Sequence, residues 1–506
     1  MAFQRNHVSN AERLEIGLHV FQYKSRYGLI TNLARKYVVS RWFIYYCYMN
    51  VMLALDRQHE KRPSLKPQYG YYESLDARVL SVYLDTEASL SGVKKALKNL
   101  FGQEVCIGRI SEILNEYGNQ LESSDTVTCR VKFISDEIFI GAPILVTVEP
   151  LSGYILSVEL VERRDKETWG ACWIELIDNE SGHIEQIIAD LGKGLLGGIE
   201  LLCEDREKAK VIFQGDMFHI IMRLVAGIHQ AERKAYAAIE KAYDAFDKFE
   251  RAKSERVLQH RLETYEKAQA EAEKWIQCYD ESMYLFRELQ EVLRIVDMTR
   301  GELRRKADVI AEVKAILELL EEEIGSEKIQ KGAAYIRTHQ DALLQYFDEV
   351  EAAAKDLNTT IVEDEVRQCV FRLYAYQQQL YTAYGQRKRL LHAQKAALEQ
   401  RLSERLGEAE YRRVYHIVEQ TLSSIFRSSS MVENTNSRLR RFFDSARNQI
   451  NQARLNLIRF YLNHKLFERG RRRGKTASQL FHGDEALSEH WLSILLSKKA
   501  QKAATA

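Results

Sequence analysis

Three carboxylates sit in settings where a solvated surface residue would be out of place. Asp136 lies in the middle of the β-rich run "FISDEIFI". Asp190 ends the apolar run "QIIADLGKG", and Glu433 opens "VENTNSRLR" directly after three serines. A carboxylate inside an apolar strand costs free energy to bury unless it is paired or binds a metal. The glycines after Asp190 let the backbone turn sharply there. If the strands that carry Asp136 and Asp190 are neighbours, two like charges lie side by side. They then need a cation, and hard oxygen ligands suit two ions of Mg²⁺ or Mn²⁺. A two-metal site for phosphoryl transfer, with its ions about 3.5–4 Å apart, calls for at least one more carboxylate. Glu433 is read as that third ligand. Helical periodicity puts Glu433, Asn436, Ser437, Arg440 and Asp444 on one face, with Val432 and Leu439 elsewhere. Arg440, two turns on, is expected to lie along a phosphate backbone with Arg438 and Arg441. Taken singly, an Asp at a strand end is usually a turn former and a helical Glu is usually solvated. It is the joint pattern that carries the reading.

The elements that must position these residues are legible in outline. "RVKFISDEIFIG" (130–141), "PILVTVEP" (143–150) and "YILSVELVE" (154–162) read as three antiparallel strands separated by turns. A helix at 165–179, a fourth strand at 184–192 and a fifth strand running into a helix at 209–224 follow. That is the element order of a ribonuclease-H-like α/β/α core, in which strands one and four meet at the sheet centre. From 225 to 427 apolar residues recur at i, i+3, i+4 and i+7 with Glu/Lys faces, the pattern of a structural all-α bundle. Trp275 within it is expected in the core rather than stacked on a base.

Composition sets the frame. A hydrophobic share of 45% with 10% aromatics argues against disorder, and no apolar run approaches the ~20 residues of a membrane helix. The first residues lack the apolar core of a signal peptide. The seven scattered cysteines show no metal or redox spacing and read as reduced thiols of a cytoplasmic protein. The overall charge of +1 hides an asymmetry: residues 1–120 hold 16 Lys and Arg against 11 Asp and Glu, and residues 433–506 hold 15 against 6. Basic ends of +5 and +9 therefore flank a middle of −13, as in a DNA-binding protein with an added scaffold. Within 1–58, "GLITNLARKYVVSRWFIYYCYM" reads as a helix-turn-helix, with Leu33 and Ala34 inward and a turn at Val38–Val39. Ser40 caps the second helix, and Ser40, Arg41 and Tyr45 are free to reach a groove. A Pro-containing linker at 59–70 leads to a second helical DNA-binding module at 71–124, where Ile107-Gly108 breaks the pattern and Arg109 starts a new helix. The fold class is thus multidomain α+β. It comprises N-terminal helix-turn-helix modules, a core at 125–224 and 428–485 interrupted by the insertion at 225–427, and a C-terminal helix and tail at 486–506.

With Asp136 in "FISDEIFIG", Asp190 in "IIADLGKGLLGG" and Glu433 in "VENTNSRLR", the chain resembles the DDE-type transposases, the ribonuclease-H-like recombinases that cut and rejoin transposon ends. The tail "LIRFYLNHKLFERGRRRGKTASQLF" is similar to the ends of bacterial insertion-sequence transposases, with Ala477 where their proline would stand. "GDMFH" supplies Asp216 and His219, similar to the Cys/Asp-x-x-His motif of relatives that carry an all-α insertion before the Glu. The Tyr and Arg that precede the Glu in one bacterial group are absent, and Ser429 occupies the Arg position. The resemblance implies Asp136, Asp190 and Glu433 as catalytic metal ligands, and Mg²⁺ or Mn²⁺ as cofactor. It also implies terminal inverted repeats and target DNA as partners, a homodimer or higher oligomer, and a nucleoid-associated place in the cytoplasm. Arg41, Arg109, Arg438, Arg440, Arg441 and Lys475 are the expected DNA contacts. "GRRRGKT" (470–476) is one residue short of a phosphate-binding loop and follows a helix, so it reads as a basic DNA-contacting segment. Three alternatives share parts of this pattern: a domesticated sequence-specific DNA-binding protein, a ribonuclease-H-like nuclease or resolvase, and a coiled-coil scaffold.

Overall fold

The computed structural model describes residues 8–23, 28–59, 74–177, 182–205, 211–322, 324–470, 472–483 and 489–505. The first three helices, α1 (Asn10–Tyr23), α2 (Leu29–Lys36) and α3 (Arg41–His59), close round a small core of their own that includes Ile16, Leu33, Phe43, Ile44 and Cys47. The turn between α2 and α3 passes through Val38 at a φ of 50°. Ser40 Oγ then accepts the Phe43 N–H at 3.2 Å, so α3 starts at Arg41 as its cap requires. Arg41, Trp42, Tyr45, Tyr46 and Met49 form the solvent face of α3, with the Trp42 and Tyr46 rings stacked 5.8 Å apart. The expected linker at 59–70 falls, apart from His59 at the end of α3, outside the described residues.

Three more helices follow: α4 (Leu75–Thr86), α5 (Leu90–Phe101) and α6 (Ile107–Gly118). The last begins at Ile107 and not at Arg109 as expected. Cys106 takes the cap position and its thiol accepts the Arg109 N–H at 3.4 Å, so Gly108 sits inside the first turn. The helices of this segment share one hydrophobic core with the sheet that follows and with the C-terminal helices. At Gly118 a Cβ would stand 1.9 Å from the Ala453 carbonyl oxygen, so only glycine allows that close approach of backbones.

Five strands form the central sheet: β1 (Arg130–Phe139), β2 (Pro143–Glu149), β3 (Tyr154–Leu160), β4 (His183–Ala189) and β5 (Ile212–Gly215). Their order is β3-β2-β1-β4-β5, antiparallel across β1, β2 and β3 and parallel across β1, β4 and β5. Strands one and four therefore meet at the centre, as the order of elements required. Alternation along the strands divides the side chains between two layers. Ile134, Ile138, Val146 and Ile188 join the core of α4, α5 and α6. Phe133, Leu145, Leu156 and Ile187 face Trp169 and Trp173 of α7 (Lys166–Glu175) and Leu195 and Leu202 of α8 (Lys193–Asp205).

Beyond β5 the helix α9 (Met217–Glu250) runs for 34 residues without a break, so the all-α insertion starts at Met217 and not at 225. Its core already includes Ile220 and Leu224. Helix α10 (Glu255–Val292) returns antiparallel to α9, with Phe246 and Tyr265 5.2 Å apart and Lys234 4.0 Å over the Trp275 ring. Trp275 is half-buried against the insertion core, in line with its core reading. A short hairpin, β6 (Val296–Asp297) and β7 (Glu302–Leu303), interrupts the helices. Then follow α11 (Lys306–Glu322), α12 (Glu327–Thr338), α13 (Gln340–Leu343), α14 (Tyr346–Thr360), α15 (Asp364–Leu380), α16 (Gly385–Leu406) and α17 (Glu408–Ser423). The insertion docks on the sheet edge: Gln214 Nε2 of β5 donates to the carbonyls of Ala342 and Leu343 at 3.1 and 3.2 Å.

The chain then rejoins the sheet through α18 (Ser430–Ser445), α19 (Gln452–His464), α20 (Ala477–His482) and α21 (Trp491–Thr505). Helix α19 ends at His464, short of the Gly470 expected. The basic segment after it folds back, with Phe467 N–H on the Lys475 carbonyl and Gly474 N–H on the Phe467 carbonyl. Thr476 then opens α20 with a capping box. Among the described residues no helix is long and apolar enough to cross a membrane. All seven cysteines are free thiols.

Candidate active site

The parallel pairing of β1 with β4 sets the first two carboxylates. The register ends with Ile134 level with Ile188; Asp136 lies two residues further along β1 on the Ile134 face, and Asp190 lies directly past the end of β4, near enough for its charge to act on Asp136. Asp136 Oδ1 accepts the Glu137 N–H at 2.8 Å, and Asp190 Oδ1 accepts the Gly192 N–H at 2.8 Å. Helix α18 crosses this face over β1 and β2, anchored by Val432, Leu439, Phe442 and Phe443 in the shared core. Of the expected polar stripe, Ser437, Arg440 and Asp444 are exposed, and Asn436 turns inward with Val432 and Leu439: fully buried, it donates Nδ2–H to Asp136 Oδ2 at 2.7 Å. Glu433, one turn earlier on the same face, is half-buried.

Electrostatics couple these groups. The Asp136 carboxyl is pushed up to about 6, mainly by burial and further by the charges of Glu433 and Asp190; the Glu137 N–H and the His219 imidazolium oppose the rise. His219 is pushed up to about 9, first by its hydrogen bond to Asp216 and then by the charges of Asp216, Asp136 and Asp190, against the effect of burial. At neutral pH it is therefore a cation beside the carboxylates. Asp216, with no exposure, stays below the usual carboxylate range. Burial would raise it, but hydrogen bonds from His219 and Ser429 and the His219 charge outweigh that. Its Oδ2 meets His219 Nδ1 at 2.6 Å and also accepts the Ser429 hydroxyl.

The donor set is all oxygen, which suits a hard divalent cation. Asn436 Oδ1 is buried beside Asp136 with no hydrogen-bond partner, an acceptor that a cation would satisfy. The carboxylates do not close round a common centre as they stand. Among the described residues no three His, Cys, Asp or Glu side chains are close enough together to hold a metal ion.

The basic residues read as DNA contacts divide into two groups. Arg41, Arg440 and Lys475 are exposed. Arg441 is exposed with Glu87 3.5 Å away. Arg438 is half-buried with its guanidinium 6.0 Å over the Phe467 ring. Arg109 is held by Glu112 and Glu116 at 3.2 and 3.1 Å, so a phosphate there would compete with two carboxylates. Sequence reasoning had grouped Asn436 with Ser437, Arg440 and Asp444 and apart from Val432 and Leu439, whereas Asn436 is buried with those two apolar residues; it did not see Asn436 as the partner of Asp136 or Ser429 as the partner of Asp216. The signal for Asn436 was its place one turn after Glu433. For Ser429 it was a helix-opening serine ahead of a carboxylate.

No protein-family model matches the chain, and no curated protein matches it.

Proposed function

We propose that this chain is a DNA transposase of the DDE type, built on a ribonuclease-H-like core. The observation that carries the reading is the convergence of Asp136, Asp190 and Glu433, from three distant stretches, on one face of the central sheet, with Asp136 raised first by burial and further by the charges of Glu433 and Asp190. The strand order β3-β2-β1-β4-β5 and the helical insertion between β5 and α18 support it. Asp136, Asp190 and Glu433, with Asn436 Oδ1 beside them, would hold two Mg²⁺ or Mn²⁺ ions, which when bound activate the attacking oxygen and stabilise the departing 3′ oxygen. His219 sets a fixed positive charge at the rim of the site, suited to orienting a phosphodiester. Exposed Arg440, two turns beyond Glu433, extends that positive surface along a strand. Arg41 and the aromatic face of α3 supply a helix-turn-helix reading surface for the terminal repeats.

The test is Mn²⁺-dependent strand transfer with the full chain on DNA that carries the sequences flanking its own gene. The expected result is specific binding of those ends and joining of their 3′-OH to target DNA. Specific binding with neither cleavage nor joining would instead favour a sequence-specific DNA-binding protein. Cleavage without joining would favour a nuclease.

A further inference from the structure

We propose that Ser429 is a positioning residue for Glu433: its buried hydroxyl, donated to Asp216, clamps the start of α18 to the ends of β4 and β5. The proposal rests on the reading of the three carboxylates as one site. Ser429 is 2% exposed and occupies the cap position of α18. A serine there ordinarily accepts a backbone N–H of its own helix. This one makes no such cap bond, and its Oγ–H goes to Asp216 Oδ2 instead. The Ser429 carbonyl meanwhile accepts the Glu433 N–H at 3.0 Å. A single residue thus joins the Asp216 carboxylate to the first helical hydrogen bond of Glu433.

Asp216 is well placed to be the fixed end of this clamp. Its own N–H bonds the carbonyl of Ala189, the residue before Asp190, at 2.8 Å. Its Oδ1 accepts the Phe218 N–H at 2.8 Å. A second bond, Met217 N–H to the Arg427 carbonyl at 3.1 Å, runs parallel to the clamp. Residues 216 and 429 flank the helical insertion, so the clamp closes it where the chain leaves and rejoins the sheet. Movement of the insertion is then not passed on to the first turn of α18. A bond to an ionised acceptor is stronger than a neutral one, and misplacing a catalytic group by about 1 Å can cost about a hundredfold. Removing the hydroxyl leaves Asp216 its bond from His219, so the fold should survive the change.

The experiment compares the wild-type full chain with Ser429→Ala and Ser429→Thr. Two quantities are read: hydrogen exchange in the first turn of α18, and Mn²⁺ affinity from the magnetic resonance of the free ion. For Ser429→Ala, first-turn exchange is expected to rise about tenfold and Mn²⁺ binding to weaken about tenfold. Little change in thermal midpoint should accompany this. Threonine keeps the hydroxyl and is expected to restore both to within about threefold. Wild-type exchange and affinity in Ser429→Ala would overturn the proposal, as would a threonine variant no better than alanine. If Ser429→Ala speeds exchange and threonine restores it, but the wild type itself binds no Mn²⁺, the clamp stands and the metal reading fails.

Discussion

On the proposed transposase reading, changing Asp136 to asparagine is expected to abolish strand transfer and, in the metal-free protein, to raise stability at neutral pH. The two effects share one cause. The carboxyl stands at about 6 in the fold against an ordinary 3.8, so the folded protein favours its neutral form. An acid raised in this way causes no loss below about pH 3.8. It costs stability progressively as pH climbs toward 6 and a constant amount above that. At 1.36 kcal/mol per pKa unit, discounted for the partial exposure of Asp136, the cost at pH 7.5 is about 1–2 kcal/mol. Asparagine carries no charge; its single carbonyl oxygen can keep the Glu137 N–H while its amide group donates to Asn436 Oδ1, which has no other partner, once the Asn436 amide turns over. Asp136→Asn should therefore melt a few degrees above wild type at pH 7.5 without metal, and level with it near pH 4. Mn²⁺ should raise the wild type and not the variant. Strand transfer, by contrast, should fall on the order of 10³-fold, because the proposed function makes Asp136 a metal ligand, and such a ligand supplies several kcal/mol of transition-state stabilisation. For the same reason wild-type activity should fall as pH drops through 6, where protons compete with the metal for Asp136. A variant less stable than wild type at pH 7.5 would mean that the carboxylate is satisfied where it stands.

The second large effect lies away from the carboxylates. Arg459 of α19 is 5% exposed and donates to Asp125, to the carbonyls of Ile155 and Leu156 at 3.3 and 3.1 Å, and to the Glu122 carbonyl at 2.9 Å. It joins the helix that follows α18 to strand β3 and to the segment leading into β1. Burial would raise the Asp125 carboxyl, but the charge and hydrogen bonds of Arg459, with a bond from Tyr154, hold it below its ordinary value. Arg459→Ala would leave Asp125 without its counter-charge and would strip donors from three backbone carbonyls. The expected loss is about 3–5 kcal/mol, read as a shift in denaturant midpoint at pH 7. Lysine should not rescue it, since one ammonium cannot reproduce the fork that spans these acceptors. Asp125→Ala and the double variant should cost less than the sum of the single changes, because the pair acts as a unit. A loss below about 1 kcal/mol would mean that α19 is held by its apolar face alone.

What was legible in the sequence followed from local periodicity. Alternation marked β1, β2 and β3 close to their observed bounds, and an ionisable residue inside one such strand marked Asp136. The i, i+3, i+4 pattern marked the insertion as helical, and Ser40 marked the start of α3. Where local signals conflict, boundaries slipped. Gly108 looked like a break but is absorbed into α6 because Cys106 caps it, and the apolar pattern of α9 runs straight through the expected boundary at 225. Contacts across long stretches of chain were not legible. Asn436 reaches Asp136 over 300 residues, and Ser429 reaches Asp216 over 213. Neither pair leaves a periodic trace. The sharing of one core by α4, α5, α6, the sheet and α21 was hidden for a like reason: an amphipathic helix shows that it has an apolar face, not what covers it.

The most direct test of the account is to crystallise the wild-type chain with Mn²⁺ and map the manganese by its anomalous scattering. The account predicts anomalous peaks bounded by Asp136, Asp190 and Glu433, with the three carboxylates drawn inward and Asn436 beside them, and no such peaks in Asp136→Asn. Full Mn²⁺ with no peak at these residues, or with the metal bound elsewhere, would contradict it.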